Sequence, residues 1–328
     1  MQSTYPWDQV VKFLSFADRA EAKSSVQLYE IFVLAGKHAK LANASLLVRL
    51  VMMRLFNPFS WIRFFLLSQR LAIFGLVLCC FCSQAQPRQV VAIAHRGEHL
   101  HNPENTIPAF EEAIRVGADF FELDVRTTSD GKLVLSHDSK VDRRTNGHGD
   151  VSKMTFDEIR ALDAGIKSGP KFAGTKVPTF DEALDMARGR IGIYVDVKQA
   201  SAKDLVTHIG DHGMSDHVVI YAGLRLSKEI QALDPKLKVM PESDSVETVK
   251  RIIEELHPKV IAFGSHDWKP EIIKLSKEAH ANVYVDRMGP TDAPAGWQSA
   301  IDEGADGIQT DRPEELVKYL REKGYKKP

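Results

Sequence analysis

Two acidic residues, Glu122 and Asp124, lie two positions apart in the apolar stretch FFELDV. In an extended strand alternate side chains point to one face, so these carboxylates project together while their apolar neighbours project to the other face. Carboxylates that are buried side by side repel each other and tend to be protonated. The pattern therefore predicts a site for a hard, oxygen-preferring ion such as Mg²⁺ or Ca²⁺, with two solvated carboxylates at a strand end as the alternative.

The stretch IYVDVK repeats this arrangement further along the chain. Tyr194, Asp196 and Lys198 alternate with apolar residues and share one face of a predicted strand. A carboxylate and an ammonium group at the end of a strand suit a metal ion and a phosphate oxygen. A surface ion pair between Asp196 and Lys198 explains the spacing equally well.

Histidine and arginine side chains follow other predicted strands. His95 and Arg96 come directly after the apolar run 90–94, and His137 follows the run KLVLS. Catalytic groups collect where the ends of different strands meet at one face of a parallel barrel. Two histidines that titrate near neutral pH can serve there as general acid and general base. His95 and His137 are therefore candidate catalytic residues, with a purely structural role as the alternative for each.

Short β-branched runs alternate with helical patterns from residue 90 onward, which is typical of repeated βα units and a parallel sheet. The predicted strands cover residues 90–94, 120–125, 191–197, 217–221, 238–240, 260–263, 282–285 and 307–309. Eight such strands in about 240 residues favour a closed (β/α)₈ TIM barrel, an α/β fold. An open doubly wound sheet is the alternative, but no glycine-rich phosphate loop follows the first strand.

One segment interrupts this alternation. The stretch TTSDGKLVLSHD is typical of a β-hairpin with Asp130 and Gly131 at its turn. Residues 139–178 then precede the next predicted barrel strand. We expect them to form a small insertion above the barrel mouth, after the second strand and its hairpin.

The N-terminal segment differs from the rest of the chain. Three arginines precede the uncharged apolar stretch 71–82, and Ser83-Gln84-Ala85 follows it. This is the pattern of a cleaved signal peptide, since about twelve apolar residues are fewer than the roughly 20 that a membrane-spanning helix needs. We expect a secreted or periplasmic protein whose barrel domain covers residues 86–328, with an N-terminal membrane anchor as the alternative.

Residues 1–85 would then combine an N-terminal extension with the signal peptide. The extension before the apolar stretch is long for a signal peptide, and Met52 and Met53 lie where such a peptide would begin. Translation from Met52 or Met53 is one interpretation. A genuine helical extension over residues 1–51 is the other.

Composition narrows the class of protein further. The chain has 328 residues, of which 27% are charged, and a formal net charge of −1. A near-neutral chain without a stripe of lysine and arginine argues against a nucleic-acid partner. All three cysteines, Cys79, Cys80 and Cys82, lie in the apolar stretch, so the predicted mature chain offers no disulfide, cysteine nucleophile or zinc–thiolate site.

Five segments, in this order, carry a resemblance to a known family: AHRG, PENTIPAFEEAIRVGADFFELDV, TSDGKLVLSHD, RRTNGHGDVSKMTFDEIRALDAG and GIQTDRPEEL. Together they resemble the glycerophosphodiester phosphodiesterase family over residues 90–320. The resemblance implies a (β/α)₈ barrel that hydrolyses glycerophosphodiesters to sn-glycerol 3-phosphate and an alcohol. It implies a small-molecule substrate and a divalent cation, Mg²⁺ or Ca²⁺. We also expect no stable membrane insertion of the mature domain.

The resemblance also implies a role for each candidate site residue. The matching residues are His95 and His137 as the acid/base pair, Glu122, Asp124 and Asp196 as metal ligands, and Arg96 and Lys198 as phosphate-binding groups. Glu104 and Asn105 match the family's ENT segment and are expected to hold the Arg96 loop. Glu98, His99 and His101 are not fixed by the family pattern, and we interpret them as exposed loop residues, with the rim of a pocket as the alternative.

Two departures from the family pattern affect the expected chemistry. Asp196 stands where a glutamate is usual, which predicts contact with the metal through water or a preference for another ion. Residues 283–287 read VYVDR where a Trp-Thr-Val-Asn run is frequent, so the wall around the substrate differs. Alternative functions are a lipid-headgroup phosphodiesterase similar to sphingomyelinase D and a non-catalytic phosphate-ester binder on the same barrel.

Overall fold

The computed structural model of the protein describes residues 88–327. The interpretations of the N-terminal extension, the signal peptide and its cleavage after Ala85 lie outside the described residues. The strands in this part of the chain are β1 (Val91–Ala94), β2 (Phe120–Thr127), β3 (Leu133–Leu135), β4 (Gly192–Gln199), β5 (Val218–Ala222), β6 (Lys238–Pro241), β7 (Val260–Phe263), β8 (Asn282–Asp286) and β9 (Gly307–Thr310).

Helices follow the strands almost throughout. They are α1 (Ile107–Val116), α2 (Phe156–Ala161), α3 (Phe180–Ala187), α4 (Ala202–Asp211), α5 (Leu224–Leu233), α6 (Val246–Leu256), α7 (Pro270–Glu278), α8 (Pro294–Glu303) and α9 (Pro313–Glu322). Every helix within residues 88–327 is too short or too polar to cross a bilayer.

The strands form one sheet that nearly closes on itself. Their spatial order is β6-β5-β4-β2-β1-β9-β8-β7, and each neighbouring pair along this path is parallel. A parallel bridge between Glu242 and Ala262 links the end of β6 to β7. The prediction of a (β/α)₈ barrel is confirmed, and the doubly wound alternative is wrong.

Alternation along β2 separates the two faces of the barrel wall. Phe121 and Leu123 are fully buried in the apolar layer between the sheet and the helices, where the Phe121 ring stacks on Phe110 of α1 at 4.2 Å between centroids. Side chains of the opposite face fill the barrel interior with an apolar cluster of Ile93, Tyr194, Val219, Met240, Val260, Ala262 and Tyr284. Glu122 and Asp124 share this inner face, because their positions alternate with those of the outer residues.

The hairpin and the insertion form as expected. Strand β3 pairs antiparallel with the end of β2, and Gly131 at the turn has a φ of 82°, a conformation that glycine adopts without strain. The insertion contains α2 and three short 3₁₀ helices. It buries its own apolar cluster, which includes Val141, Val151 and Ile159, so it is a packed part of the domain.

Gly97, in the loop after β1, is a glycine whose substitution we expect to be costly. Its φ is 78°, and an added Cβ would lie 2.7 Å from the backbone carbonyl carbon of Ala109, whereas a Cβ on Gly131 would meet nothing within 4 Å. Left-handed geometry alone costs an alanine about 1–2 kcal/mol. We expect Gly97→Ala to lower the free energy of unfolding by about 3 kcal/mol or more, and Gly131→Ala by about 1 kcal/mol. Equal losses in urea denaturation of the two variants would show that the contact with Ala109 is relieved without cost.

Candidate active site

Three carboxylates converge at the carboxyl ends of β2 and β4. Glu122, Asp124 and Asp196 each contribute an oxygen to a group whose members all lie within 4.8 Å of one another. Asp124 and Asp196 are direct Cα partners in the parallel pairing of β2 with β4. The side chains of Glu122 and Asp124 are almost completely buried, each with 1% exposure. The three carboxylates predicted from alternation therefore come together.

Burial and mutual repulsion dominate the electrostatics of this acidic group. Burial raises the pKa of Glu122 well above its usual value, and the charges of Asp124 and Asp196 raise it further. Burial also raises the pKa of Asp196, although Lys198 opposes the shift. Asp124 Oδ1 is buried without a hydrogen bond. A set of oxygen donors with an unsatisfied buried oxygen fits a hard divalent cation.

The loop between β1 and α1 holds two of these carboxylates in place. The Arg96 backbone N–H donates to Glu122 Oε2 at 2.7 Å. The Asn105 side chain donates to Asp124 Oδ2 at 2.7 Å and accepts from the Asp124 backbone N–H at 3.0 Å. Arg96 and Asn105 have positive φ values of 52° and 56°, which L-residues rarely adopt. These bonds to the acidic residues compensate for that strain.

Arg96 and Lys198, the predicted phosphate-binding residues, lie against the acidic group. The Arg96 guanidinium is 3.2 Å from Glu104 and 3.5 Å from Asp124. Lys198 Nζ donates to Asp196 Oδ2 at 2.7 Å and lies 3.3 Å from Asp124 Oδ1. The ion pair between Asp196 and Lys198 exists, but it belongs to the edge of the site. Both cations reduce the repulsion among the carboxylates and present positive charge at the barrel mouth.

Each predicted catalytic histidine is held through Nδ1 by a carboxylate. His95 Nδ1 is 2.7 Å from Asp311 Oδ1, and His137 Nδ1 is 2.7 Å from Asp138 Oδ1. Such pairing favours the Nδ1–H tautomer, which leaves a lone pair on Nε2. Burial lowers the pKa of His95, and this effect outweighs the opposing effect of Asp311. His137 lies close enough to Asp196 for its charge to lower that carboxyl's pKa, which places His137 near the acidic group.

Arg143, in the insertion, connects the histidine loops. Its guanidinium donates to Asp138 Oδ1 and to Glu104 Oε1, both at 2.9 Å. The hydrogen bond from Arg143 and the pairing with His137 hold the pKa of Asp138 well below its usual range. Glu104 contacts Arg96 as expected from the sequence. The insertion thereby helps to position His137.

Asp311, at the end of β9, is a site residue that sequence reasoning missed. It belongs to the segment GIQTDRPEEL, and its position after a barrel strand is the signal that could have identified it. Burial raises the pKa of Asp286, at the end of β8, to about 7, with a further contribution from the charge of Asp196. The sequence singles out Asp286 only as part of the altered wall at residues 283–287.

The interpretation of the histidine-rich loop as exposed is partly wrong. Glu98 is buried at 4% exposure, because its carboxylate accepts hydrogen bonds within its own loop, from the Asn102 side chain at 2.8 Å and from the His101 backbone. His99 has 17% side-chain exposure, whereas His101 has 76%. His101 alone among these three is an exposed loop residue. His99 packs beside His95, with 5.4 Å between the ring centroids.

Comparison with known proteins identifies the family of the chain. The model of the glycerophosphoryl diester phosphodiesterase family matches residues 95–315. A glycerophosphodiester phosphodiesterase of Caldanaerobacter subterraneus subsp. tengcongensis is 32% identical over 250 residues, which are 72% of this chain and 100% of that protein.

Solved structures show the same likeness. A glycerophosphodiester phosphodiesterase from Agrobacterium tumefaciens is 30% identical, with a TM-score of 0.63 over 70% of this chain and 100% of that one. An Oleispira antarctica phosphodiesterase, solved in complex with the product sn-glycerol-3-phosphate, is 20% identical, with a TM-score of 0.62 over 71% of this chain and 97% of that one. The family model matches most of this chain, and the Caldanaerobacter relative matches it along that relative's whole length. The chain therefore belongs to the glycerophosphoryl diester phosphodiesterase family.

Proposed function

We propose that the protein is a divalent-cation-dependent enzyme that hydrolyses glycerophosphodiesters to sn-glycerol 3-phosphate and an alcohol. The observation that carries this proposal is the convergence of Glu122, Asp124 and Asp196 within 4.8 Å, beside two cationic side chains and two carboxylate-held histidines. Membership of the family supports it. The phosphodiesterase from Oleispira antarctica, which shares the fold, was solved with that product.

Each group in the site has a distinct task in this reaction. Arg96 and Lys198 bind the non-bridging phosphate oxygens and stabilise the extra negative charge of the five-coordinate transition state. Glu122, Asp124 and Asp196 would hold Mg²⁺ or Ca²⁺, which when bound supplies further stabilisation of that charge.

The two histidines transfer protons on either side of the phosphorus. The Nε2 lone pair of one histidine accepts a proton from the nucleophile, which is water or the neighbouring glycerol hydroxyl. The other histidine, protonated at Nε2, donates to the departing alkoxide oxygen. Because Asp311 and Asp138 each hold an Nδ1, both Nε2 atoms keep their direction through this exchange.

A substrate panel tests the proposal. The purified protein is freed of metal, supplied stepwise with Mg²⁺, Ca²⁺ or Mn²⁺, and given glycerophosphodiesters with different alcohols, with release of sn-glycerol 3-phosphate as the measurement. We expect turnover that depends on the added ion and falls by about 10²- to 10⁴-fold in His137→Ala, because an acid/base group is lost. Failure of the protein to hydrolyse any of these substrates with any of the three ions would refute the proposed function.

Asp311 acts as a positioning residue for His95. Since Asp311 raises the pKa of His95, Asp311→Asn should move the limb of the pH–rate profile that His95 governs to lower pH. We expect kcat to fall about 10- to 100-fold with little change in KM, because the imidazole loses a charged partner. Asp302→Asn, at an exposed position of α8, is the matched control. A lower kcat with an unshifted profile would indicate a structural role only.

Cation binding should stabilise the protein more at pH 8 than at pH 5.5. The raised pKa values of Glu122 and Asp196 mean that the ion-free protein holds these protons more tightly than the unfolded chain does. Their contribution to stability is therefore present at low pH and lost as pH rises through the raised values, where a divalent cation replaces the protons.

Thermal unfolding with and without Ca²⁺ or Mg²⁺ measures this effect. We expect an increase in Tm that shrinks as pH falls and is largely absent in Glu122→Gln. Glu254→Gln, at an exposed position of α6, should respond like the parent protein. An increase in Tm that is independent of pH, or that persists in Glu122→Gln, would mean that the ion binds elsewhere.

A further inference from the structure

His95, His99 and Asp311 form a second group of possible metal ligands, separate from the three carboxylates. One donor atom from each of these residues lies within 4.8 Å of the others. His95 and His99 belong to the loop after β1, and Asp311 follows β9. Their side chains are 14%, 17% and 28% exposed, respectively, so the group is reachable from the barrel mouth and is not open surface.

The orientation of His99 is typical of a histidine that binds a cation. Its Nδ1 lies 2.7 Å from the backbone carbonyl oxygen of His95, and because a carbonyl only accepts, Nδ1 carries the proton. In the neutral imidazole, the lone pair of Nε2 then faces Asp311 Oδ1 at 3.5 Å, so that two acceptors face each other and a cation can lie between them. In metal-binding histidines, the ring nitrogen that does not bind the metal commonly donates to a backbone carbonyl, a carboxylate or water.

The donor types select a different ion from that of the acidic group. Two imidazole nitrogens and one carboxylate oxygen suit Zn²⁺ and similar transition metals, whereas an all-oxygen group suits Mg²⁺ or Ca²⁺. Tetrahedral Zn²⁺ with bonds of about 2.0–2.1 Å keeps its ligands about 3.4 Å apart. The separation of 3.5 Å between His99 Nε2 and Asp311 Oδ1 already matches this distance. The 2.7 Å separation between His95 Nδ1 and Asp311 Oδ1 would need to widen by about 0.7 Å.

We propose that His95, His99 and Asp311 bind Zn²⁺ or a similar transition-metal ion, and that this ion inhibits the enzyme by engaging His95. In the free site the His95 proton resides on Nδ1 and the Nε2 lone pair is available. When Nδ1 binds the ion, the displaced proton passes through solvent to Nε2, with no net change in the ring's proton count. Nε2 then carries hydrogen on a ring that can gain no second proton, so His95 serves neither as a base nor as an imidazolium acid, and turnover stops. The inhibition rests on the proposed function, whereas ion binding does not.

Co²⁺ tests the binding directly, because tetrahedral Co²⁺ absorbs far more strongly in the visible range than octahedral Co²⁺. The purified protein is titrated with Co²⁺ in excess Mg²⁺, so that the acidic group is occupied. We expect one strongly absorbing equivalent in the parent protein and in Glu122→Gln. His99→Gln should weaken Co²⁺ binding at least tenfold, whereas His101→Gln, which alters an exposed histidine two positions along the chain, should not.

Two results would overturn the binding proposal. One is the absence of the tetrahedral Co²⁺ spectrum in the parent protein under these conditions. The other is a spectrum and affinity that are unchanged in folded His99→Gln. Because the first result needs no variant, the proposal stays testable even if His99→Gln does not fold.

Measuring inhibition by Zn²⁺ tests whether an ion bound by His95, His99 and Asp311 stops turnover. With saturating Mg²⁺ and a glycerophosphodiester substrate, we expect Zn²⁺ to inhibit the parent protein and His101→Gln, and further Mg²⁺ not to restore activity. Relative to its own rate without Zn²⁺, His99→Gln should need at least tenfold more Zn²⁺ for the same inhibition. Recovery of activity with added Mg²⁺ would place Zn²⁺ at the acidic group and overturn the inhibitory role. Absence of turnover in all proteins would refute the proposed function while leaving the Co²⁺ result valid.

Discussion

The repulsion among Glu122, Asp124 and Asp196 is the constraint on which the rest of the site depends. Three carboxylates within 4.8 Å of one another in a barrel mouth are costly to ionise, because burial removes their hydration and each charge opposes the next. Arg96 and Lys198 offset part of this charge from the side. Asp124 Oδ1 nevertheless remains without a hydrogen bond. The surroundings thus stabilise the acidic group only partly, which suits a divalent cation that completes it.

The loop after β1 and the acidic group stabilise each other. Arg96 and Asn105 adopt left-handed backbone conformations, which cost a residue such as arginine about 1–2 kcal/mol and an asparagine less. The loop keeps this conformation because Arg96 N–H and the Asn105 side chain bond to buried carboxylates that have few other partners. Without the loop the carboxylates would lose donors, and without the carboxylates the loop would relax. A single stretch of sequence therefore carries His95 and Arg96, the proposed catalytic and phosphate-binding residues, and also bonds to two of the three carboxylates.

Features that follow from local periodicity were predictable, and those that depend on distant contacts were not. The shared face of Glu122 and Asp124 follows from alternation within β2, and the barrel follows from the repeated βα pattern. The alignment of Asp124 with Asp196 depends on strand register, which no local pattern specifies. Asp311 meets His95 across 216 positions of the chain. His99 is largely buried beside His95 and Asp311, a placement that the polar composition of its loop did not predict.

Asp196 has one methylene group fewer than the glutamate that is usual at this position in the family that the sequence resembles. The strand register explains how the shorter side chain still joins the acidic group. As direct Cα partners on neighbouring strands, Asp124 and Asp196 lie about 4.8 Å apart at the backbone, so a short side chain suffices. The same placement brings the charge of Asp196 near Asp286, where burial and that charge raise the pKa of Asp286 to about 7. A cation held by the three carboxylates, as proposed, would offset the charge of Asp196 and so reduce its effect on Asp286.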